Sequence, residues 1–236
     1  MKMSDLVRAC CVTAFVAMLC PKTVPARGLF LQMNCETPLI SAIQNRDTAA
    51  AIKIISSGTD LNVKDCNGTT ALIETIVLDE FEIAENIVLG GANTNMPDGS
   101  LASPLAISSG YCRERFVTLL LRHGAEVNSV DVHGYSPLMN SVYICQDGKM
   151  AALLLSRGAK VNLVAKNGET ALTTAAFAGN EHAVHVLVAA GANLAAKTKD
   201  GETALTIARD RDVGRKEAHD RIYNFLLQVF LLMGKP

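Results

Sequence analysis

Leucine recurs on a fixed beat through this 236-residue chain: Leu39, Leu72, Leu105, Leu138, Leu172 and Leu205 stand 33, 33, 33, 34 and 33 residues apart. A second marker keeps the same interval, because Gly58, Gly91, Gly124, Gly158 and Gly191 follow the first five leucines at 19 or 20 residues. Two markers in register define a tandem repeat, and a period in the thirties is the signature of stacked supersecondary units. One such unit cannot bury its own apolar surface, so each must lean on its neighbours.

Within a unit the order of residue types reads as two short helices. Thr37, Thr70, Ser103, Ser136, Thr170 and Thr203 precede the leucines by two residues, where a hydroxyl caps a helix N-terminus. Pro38, Pro104 and Pro137 follow at the first helical position, where a missing N–H costs nothing. Three residues beyond each leucine stand Ala42, Thr75, Ser108, Ser141, Ala175 and Ala208, all small enough to let neighbouring first helices approach closely. The second helix offers the apolar pairs Ile54/Ile55, Ile87/Val88, Leu120/Leu121, Leu154/Leu155 and Leu187/Val188, and its closing glycine ends it in a left-handed turn.

Composition agrees with such a stack. About half the residues are apolar (49%), 19% are charged and tryptophan is absent, so the core rests on Ala, Leu, Ile and Val. The formal charge is −1 and there is no basic run long enough to follow a phosphate backbone, which argues against a nucleic-acid partner.

The first 26 residues differ from the rest. Lys2 and Arg8 flank a positive start, "ACCVTAFVAMLC" (9–20) is a twelve-residue apolar run, and Val24 and Ala26 stand where a signal peptidase reads. The layout is that of a secretory signal, and twelve residues fall short of the ~20 that span a bilayer. The alternative is a buried N-terminal helix, but the run lacks amphipathic spacing. Cleavage after Ala26 leaves 19 basic and 22 acidic residues and no membrane-inserted segment.

The repeat resembles the ankyrin family. The residues that carry the resemblance are "ETPL" (36–39), "GTTAL" (68–72), "ASPL" (102–105), "DVHGYSPL" (131–138) and "GETAL" at 168–172 and 201–205. Their closing partners are "GTDLN" (58–62), "GANTN" (91–95), "GAEVN" (124–128), "GAKVN" (158–162) and "GANLA" (191–195). The resemblance implies an all-α repeat solenoid of six helix-turn-helix units with short β-hairpin loops. The organisation is then signal 1–26, lead-in 27–33, repeat domain 34–232 and tail 233–236. Unit boundaries fall at about 34–64, 65–97, 98–130, 131–164, 165–197 and 198–232.

Ankyrin-like proteins bind partners through a concave face of hairpin tips and exposed first-helix positions. Carried over residue by residue, the resemblance marks Tyr111, His133, Tyr135, Tyr143, Asn167, Glu169, Phe177, Lys199 and Asp200. Three of the four tyrosines fall there with Phe177 beside them, and aromatics on a rigid face are good anchors because they bury much area with few torsions. The competing reading packs Tyr143 and Phe177 back between the helices.

Some units depart from the pattern. "NMPDGSLAS" (95–103) carries its glycine two places early and has Leu101 at the usual glycine position, so an irregular hairpin is expected in the third unit. The extra residue of the fourth unit belongs to the turn joining its two helices. The sixth unit runs long, and Lys216, Glu217, Asp220 and Arg221 with Phe225, Leu226, Val229 and Phe230 suit a terminal helix with one wet side.

Four cysteines follow the signal: Cys35, Cys66, Cys112 and Cys145. An even count in an exported protein permits disulfides. Cys35 and Cys66 lie in neighbouring hairpins; Cys112 and Cys145 end neighbouring first helices. Packed helices lie about 8–10 Å apart and bridged Cα atoms about 4.4–6.8 Å, so free buried thiols are expected unless the inserted residue shifts the turn.

Catalytic patterns are missing: there is no Gly-x-Ser-x-Gly, no phosphate loop and no paired acids with a shared cleft. His182 and His185 share a helical face, but no further metal ligand is evident. The expectation is a monomeric, non-enzymatic protein without a cofactor, exported to a bacterial periplasm, that holds a protein partner. Look-alikes act as immunity proteins against secreted toxins or in oxidative-stress defence. A thiol-based redox protein and a cytosolic or host-directed scaffold are the alternatives.

Overall fold

The computed structural model describes residues 37–210 and 216–233. The described residues form twelve helices: α1 (Pro38–Gln44), α2 (Thr48–Ser56), α3 (Ala71–Leu78), α4 (Phe81–Leu89), α5 (Pro104–Gly110), α6 (Glu114–Arg122), α7 (Pro137–Ile144), α8 (Lys149–Ser156), α9 (Ala171–Ala178), α10 (Glu181–Ala189), α11 (Ala204–Asp210) and α12 (Lys216–Met233). They come as six pairs, and each pair is one unit of the repeat.

Every first helix begins as its residues dictate. The hydroxyls of Thr37, Thr70, Ser103, Ser136, Thr170 and Thr203 accept from the amides of Ile40, Ile73, Ala106, Met139, Thr173 and Thr206 at 3.1–3.3 Å. The small residues behind them are buried. Thr75, Ser108 and Ser141 keep their hydroxyls satisfied by donating to the carbonyls of Leu72, Leu105 and Leu138. A polar group there therefore sits in a dry interface at little cost. The second helices complete the core with Ile87, Val88, Leu120, Leu154 and Leu187.

Two lines of contact cross from unit to unit. The first is a ladder of asparagines. Asn95 accepts from Glu126 N at 2.8 Å and donates to Gly124 O at 3.0 Å. Asn128 does the same with Lys160 N and Gly158 O, and Asn162 with Asn193 N and Gly191 O. Asn62 begins the ladder by accepting from Asn93 N. Ala195 stands at the next position and the ladder ends there. The turn tips add backbone bonds of their own: Val132 N to Ser100 O, Lys166 N to His133 O and Lys199 N to Asn167 O. At Gly168 a Cβ would lie 2.7 Å from Lys199 N, so this approach needs glycine.

The second line runs along the turns that join the two helices of each unit, and its chemistry varies along the stack. Arg46 pairs with Glu80 at 3.6 Å and Asp79 with Arg113. Cys112 is disulfide-bonded to Cys145. Asn180 donates to Val142 O and Cys145 O at 2.8 Å each while its Oδ1 caps α10 through Ala183 N. Glu181 pairs with Arg221 at 2.6 Å.

The disulfide corrects the expectation of free thiols at Cys112 and Cys145. Helix spacing applies to helix interiors, and neither cysteine is inside one. Cys112 follows α5 in the left-handed region (φ 57°), and Cys145 is the extended cap of α7 (φ −80°, ψ 97°), which brings the Cα atoms to 5.7 Å. Cys66 is also disulfide-bonded, and Cys35 lies outside the described residues.

Other expectations are revised. The hairpin loops hold one isolated antiparallel bridge, Lys64 to Thr70, and among the described residues there is no strand. The third hairpin is regular: Asp98 N bonds to Ala102 O and Leu101 N to Asp98 O, as Asp65, Thr69 and Gly68 do one unit earlier. Leu101, 53% exposed, simply takes the left-handed conformation itself (φ 60°). Its unit carries glycine two places earlier because a Cβ on Gly99 would lie 2.8 Å from Asn67 O. In the fourth unit four residues (145–148) join the helices and α8 has 8 residues, against two or three and 9 in the units before and after it. The last helix, α12, is the long element of the sixth unit at 18 residues; Ile222 and Leu226 are buried, whereas Phe230 is 54% exposed instead of packing inward. The segment read as a signal lies outside the described residues.

Two substitutions test this account by urea denaturation. Asn128→Ala removes one rung and lowers stability by about 1–2 kcal/mol; an unchanged midpoint would mean the ladder is ornamental. Leu101→Gly relieves a left-handed side chain that buries little, and raises stability by about 0.5–1 kcal/mol.

Candidate protein-binding face

The first helices and turn tips share one face, and the half-buried aromatics gather on it. The C-terminal ends of α7 and α9 present Tyr143 and Phe177, whose rings stack with centroids 6.3 Å apart and an interplanar angle of 26°. Both residues are half-buried, and Phe177 packs against the core as well as against Tyr143.

Tyr135 belongs to a polar cluster at the tips. Its hydroxyl donates to Glu169 Oε2 and accepts from Asn167 Nδ2, both at 2.8 Å, and Glu169 N donates to Asn167 Oδ1 at 3.1 Å. Glu169 is only 6% exposed, and its carboxylate accepts from the Tyr135 hydroxyl. Tyr135 is thus a structural tie between units four and five as well as surface. Tyr111 stands one step along the stack with its ring against the core. Burial pushes its hydroxyl above the ordinary phenol range, the nearby Arg113 opposes this, and Glu74 adds to it. His133 is exposed at the tip of unit four and Lys199 and Asp200 at that of unit six; the main chains of His133 and Asn167 accept from Lys166 and Lys199, which sets the spacing of the tips.

The sequence-marked residues therefore include two groups brought into contact, Tyr143 with Phe177 and Tyr135 with Asn167 and Glu169. Among the described residues no cluster of three or more His, Cys, Asp or Glu is placed to hold a metal. His182 is exposed, and His185 instead packs its ring on Phe225 of α12, centroids 3.9 Å apart. No described helix is long and apolar enough to cross a membrane.

Comparison with known proteins identifies the repeat. Residues 138–228 match the family model for ankyrin repeats in three copies. An ankyrin repeat domain from Acinetobacter baumannii AYE superposes with a TM-score of 0.70 at 28% identity, covering 80% of this chain and 96% of that one. The units of this chain are ankyrin repeats. It is 31% identical over 165 residues to Ankyrin repeat and SOCS box protein 6 of Homo sapiens, covering 64% of this chain and 38% of that protein. It is 31% identical over 156 residues to Protein glp-1 of Caenorhabditis elegans, covering 60% and 12%. The chain thus spans well under half of these relatives, which share its repeats.

Features of the ankyrin stack that the sequence reading passed over lie on the other sides. Asn180 is fully buried and joins three main-chain groups of two units. Its signal was visible, since an asparagine stands just before α10 where Asp47 stands before α2. Between α4 and α6 an open groove of about 480 Å³ has Phe81 and Leu119 in its lining, and the Arg115 guanidinium sits 4.0 Å over the Phe81 ring. Phe81 also meets Phe116 edge-on at 5.2 Å. No sequence pattern marks that groove, because Phe81 and Arg115 occupy different positions of the repeat.

Tyr135→Phe deletes the hydroxyl that serves both Glu169 and Asn167, and the expected loss is about 1.5–3 kcal/mol in chemical denaturation. A loss under about 0.5 kcal/mol would place Glu169 in water.

Proposed function

We propose that this chain is a non-catalytic scaffold that holds a protein partner on its tip-and-first-helix face and acts by steric occupancy. The observation that carries the reading is the Tyr143–Phe177 stack, two half-buried rings at the ends of neighbouring first helices. An aromatic held in this way contributes contact area without ordering cost on binding. Ankyrin repeats serve protein–protein interaction and are generally not catalytic, which supports the same reading. The finer role is inhibition of a secreted toxin or oxidative-stress defence in a bacterial periplasm. Support for that compartment comes from the apolar run at 9–20 with its basic start, and from cysteines that are disulfide-bonded.

Tyr143→Ala tests the reading in one preparation. Affinity capture from periplasmic extract is expected to lose its partner at least tenfold, while Tm falls by about 2–4 °C, since a stacked aromatic pair contributes about 1 kcal/mol. The exported wild-type protein in that preparation begins at Arg27. Undiminished capture would remove this face from the function, and an uncleaved N-terminus would remove the periplasm.

A further inference from the structure

We infer that the Cys112–Cys145 bridge is a reversible thiol–disulfide exchange site, with Cys112 the sulfur that meets an external dithiol and Cys145 the sheltered thiol that recloses the bond. The inference does not depend on the partner-binding face.

Three observations carry it. Cys112 is exposed, whereas Cys145 is 6% exposed and its sulfur lies 3.3 Å from Ser109 O beneath the end of α5. Access is therefore one-sided, and exchange proceeds at the sulfur a thiolate can reach. Next, both cysteines are held by bonds other than their own. Cys112 N donates to Ser109 O and Glu114 N to Cys112 O, while Cys145 N donates to Ser141 O and its carbonyl accepts from buried Asn180. Cleaving the sulfur–sulfur bond thus leaves two thiols facing each other rather than releasing them. Last, the equivalent joints of the other units close without covalent bonds, by Arg46–Glu80, Asp79–Arg113, Asn180 and Glu181–Arg221. The stack at units three and four does not require a permanent cross-link to form.

The step balances with a dithiol as reductant. Its thiolate attacks Cys112 Sγ, a mixed disulfide forms, and the Cys112–Cys145 bond breaks with its electron pair leaving on Cys145, which takes up a proton. The second thiol of the reagent, losing its proton, attacks its own mixed-disulfide sulfur and releases Cys112 as thiolate. Two electrons have passed from the dithiol, now a cyclic disulfide, to the protein. The reverse sequence, with a disulfide reagent, closes the bridge. What changes is the four-residue turn 145–148, which is longer than the corresponding turns of units one, two, three and five and keeps its tie to Asn180.

The test uses the folded full chain with dithiothreitol as the dithiol. Samples are acid-quenched, alkylated and read by peptide mass spectrometry, with circular dichroism followed in parallel. The bridge is expected to open with the helical signal retained, and oxidised dithiothreitol restores it. In Cys145→Ser, oxidised glutathione adds to Cys112 at least tenfold faster than it adds to Cys145 in Cys112→Ser. Reduction that occurs only as the helical signal is lost would overturn the inference on the wild-type chain alone, whatever the variants do. Equal glutathione uptake at the two sites would overturn the assignment of Cys112.

Discussion

The whole molecule depends on groups in one unit completing the hydrogen bonds of the next. A unit of two seven- to nine-residue helices is too short to be stable alone, because helix formation is cooperative with a costly nucleus. Apolar burial between Leu72, Leu105, Leu138 and Leu172 supplies attraction but little register. Register comes from the asparagines. Asn95, Asn128 and Asn162 each accept an amide and donate to a carbonyl of the following unit, and a slip by one residue leaves both unmade. Where the next asparagine would be needed the chain has Ala195, and the stack passes to the different logic of α12.

The opposite edge uses no common residue. Its joints are an ion pair, a second ion pair, a disulfide, a buried asparagine and a third ion pair. Exposed ion pairs contribute at most about 1 kcal/mol, so the joints made of them are free to vary. The fourth unit exploits that freedom. Its turn is longer and its second helix one residue shorter than its neighbours', and Asn180 takes up carbonyls that the altered turn exposes. Variation of this kind is tolerated because it leaves the asparagine edge in phase.

The face that carries the functional reading was only partly legible. The repeat assigned Tyr135, Tyr143, Asn167, Glu169 and Phe177 to one side of the stack. It could not tell surface from support. Tyr135 turns out to be both, because the next unit places Glu169 Oε2 and Asn167 Nδ2 at its hydroxyl. Tyr143 and Phe177 look equivalent in sequence, and only the structure shows that their rings stack and that Phe177 also packs against the core. Leu101 shows the same limit in the backbone: a non-glycine residue there points to an irregular hairpin, whereas the pattern of hydrogen bonds holds and the residue bends to it.

The face on which partners would be sought came from the resemblance to ankyrin repeats; by itself the sequence determined the number and order of the units, the helix starts and the small residues between first helices. Those properties repeat every 33 or 34 residues, so local chemistry and periodicity suffice to state them. Only the tertiary structure decided the Cys112–Cys145 bond, the three-way grip of Asn180 and the division of labour among the aromatics. Each depends on an angstrom-scale offset between two turns that are equivalent on paper, and such offsets come from how neighbouring units settle against one another.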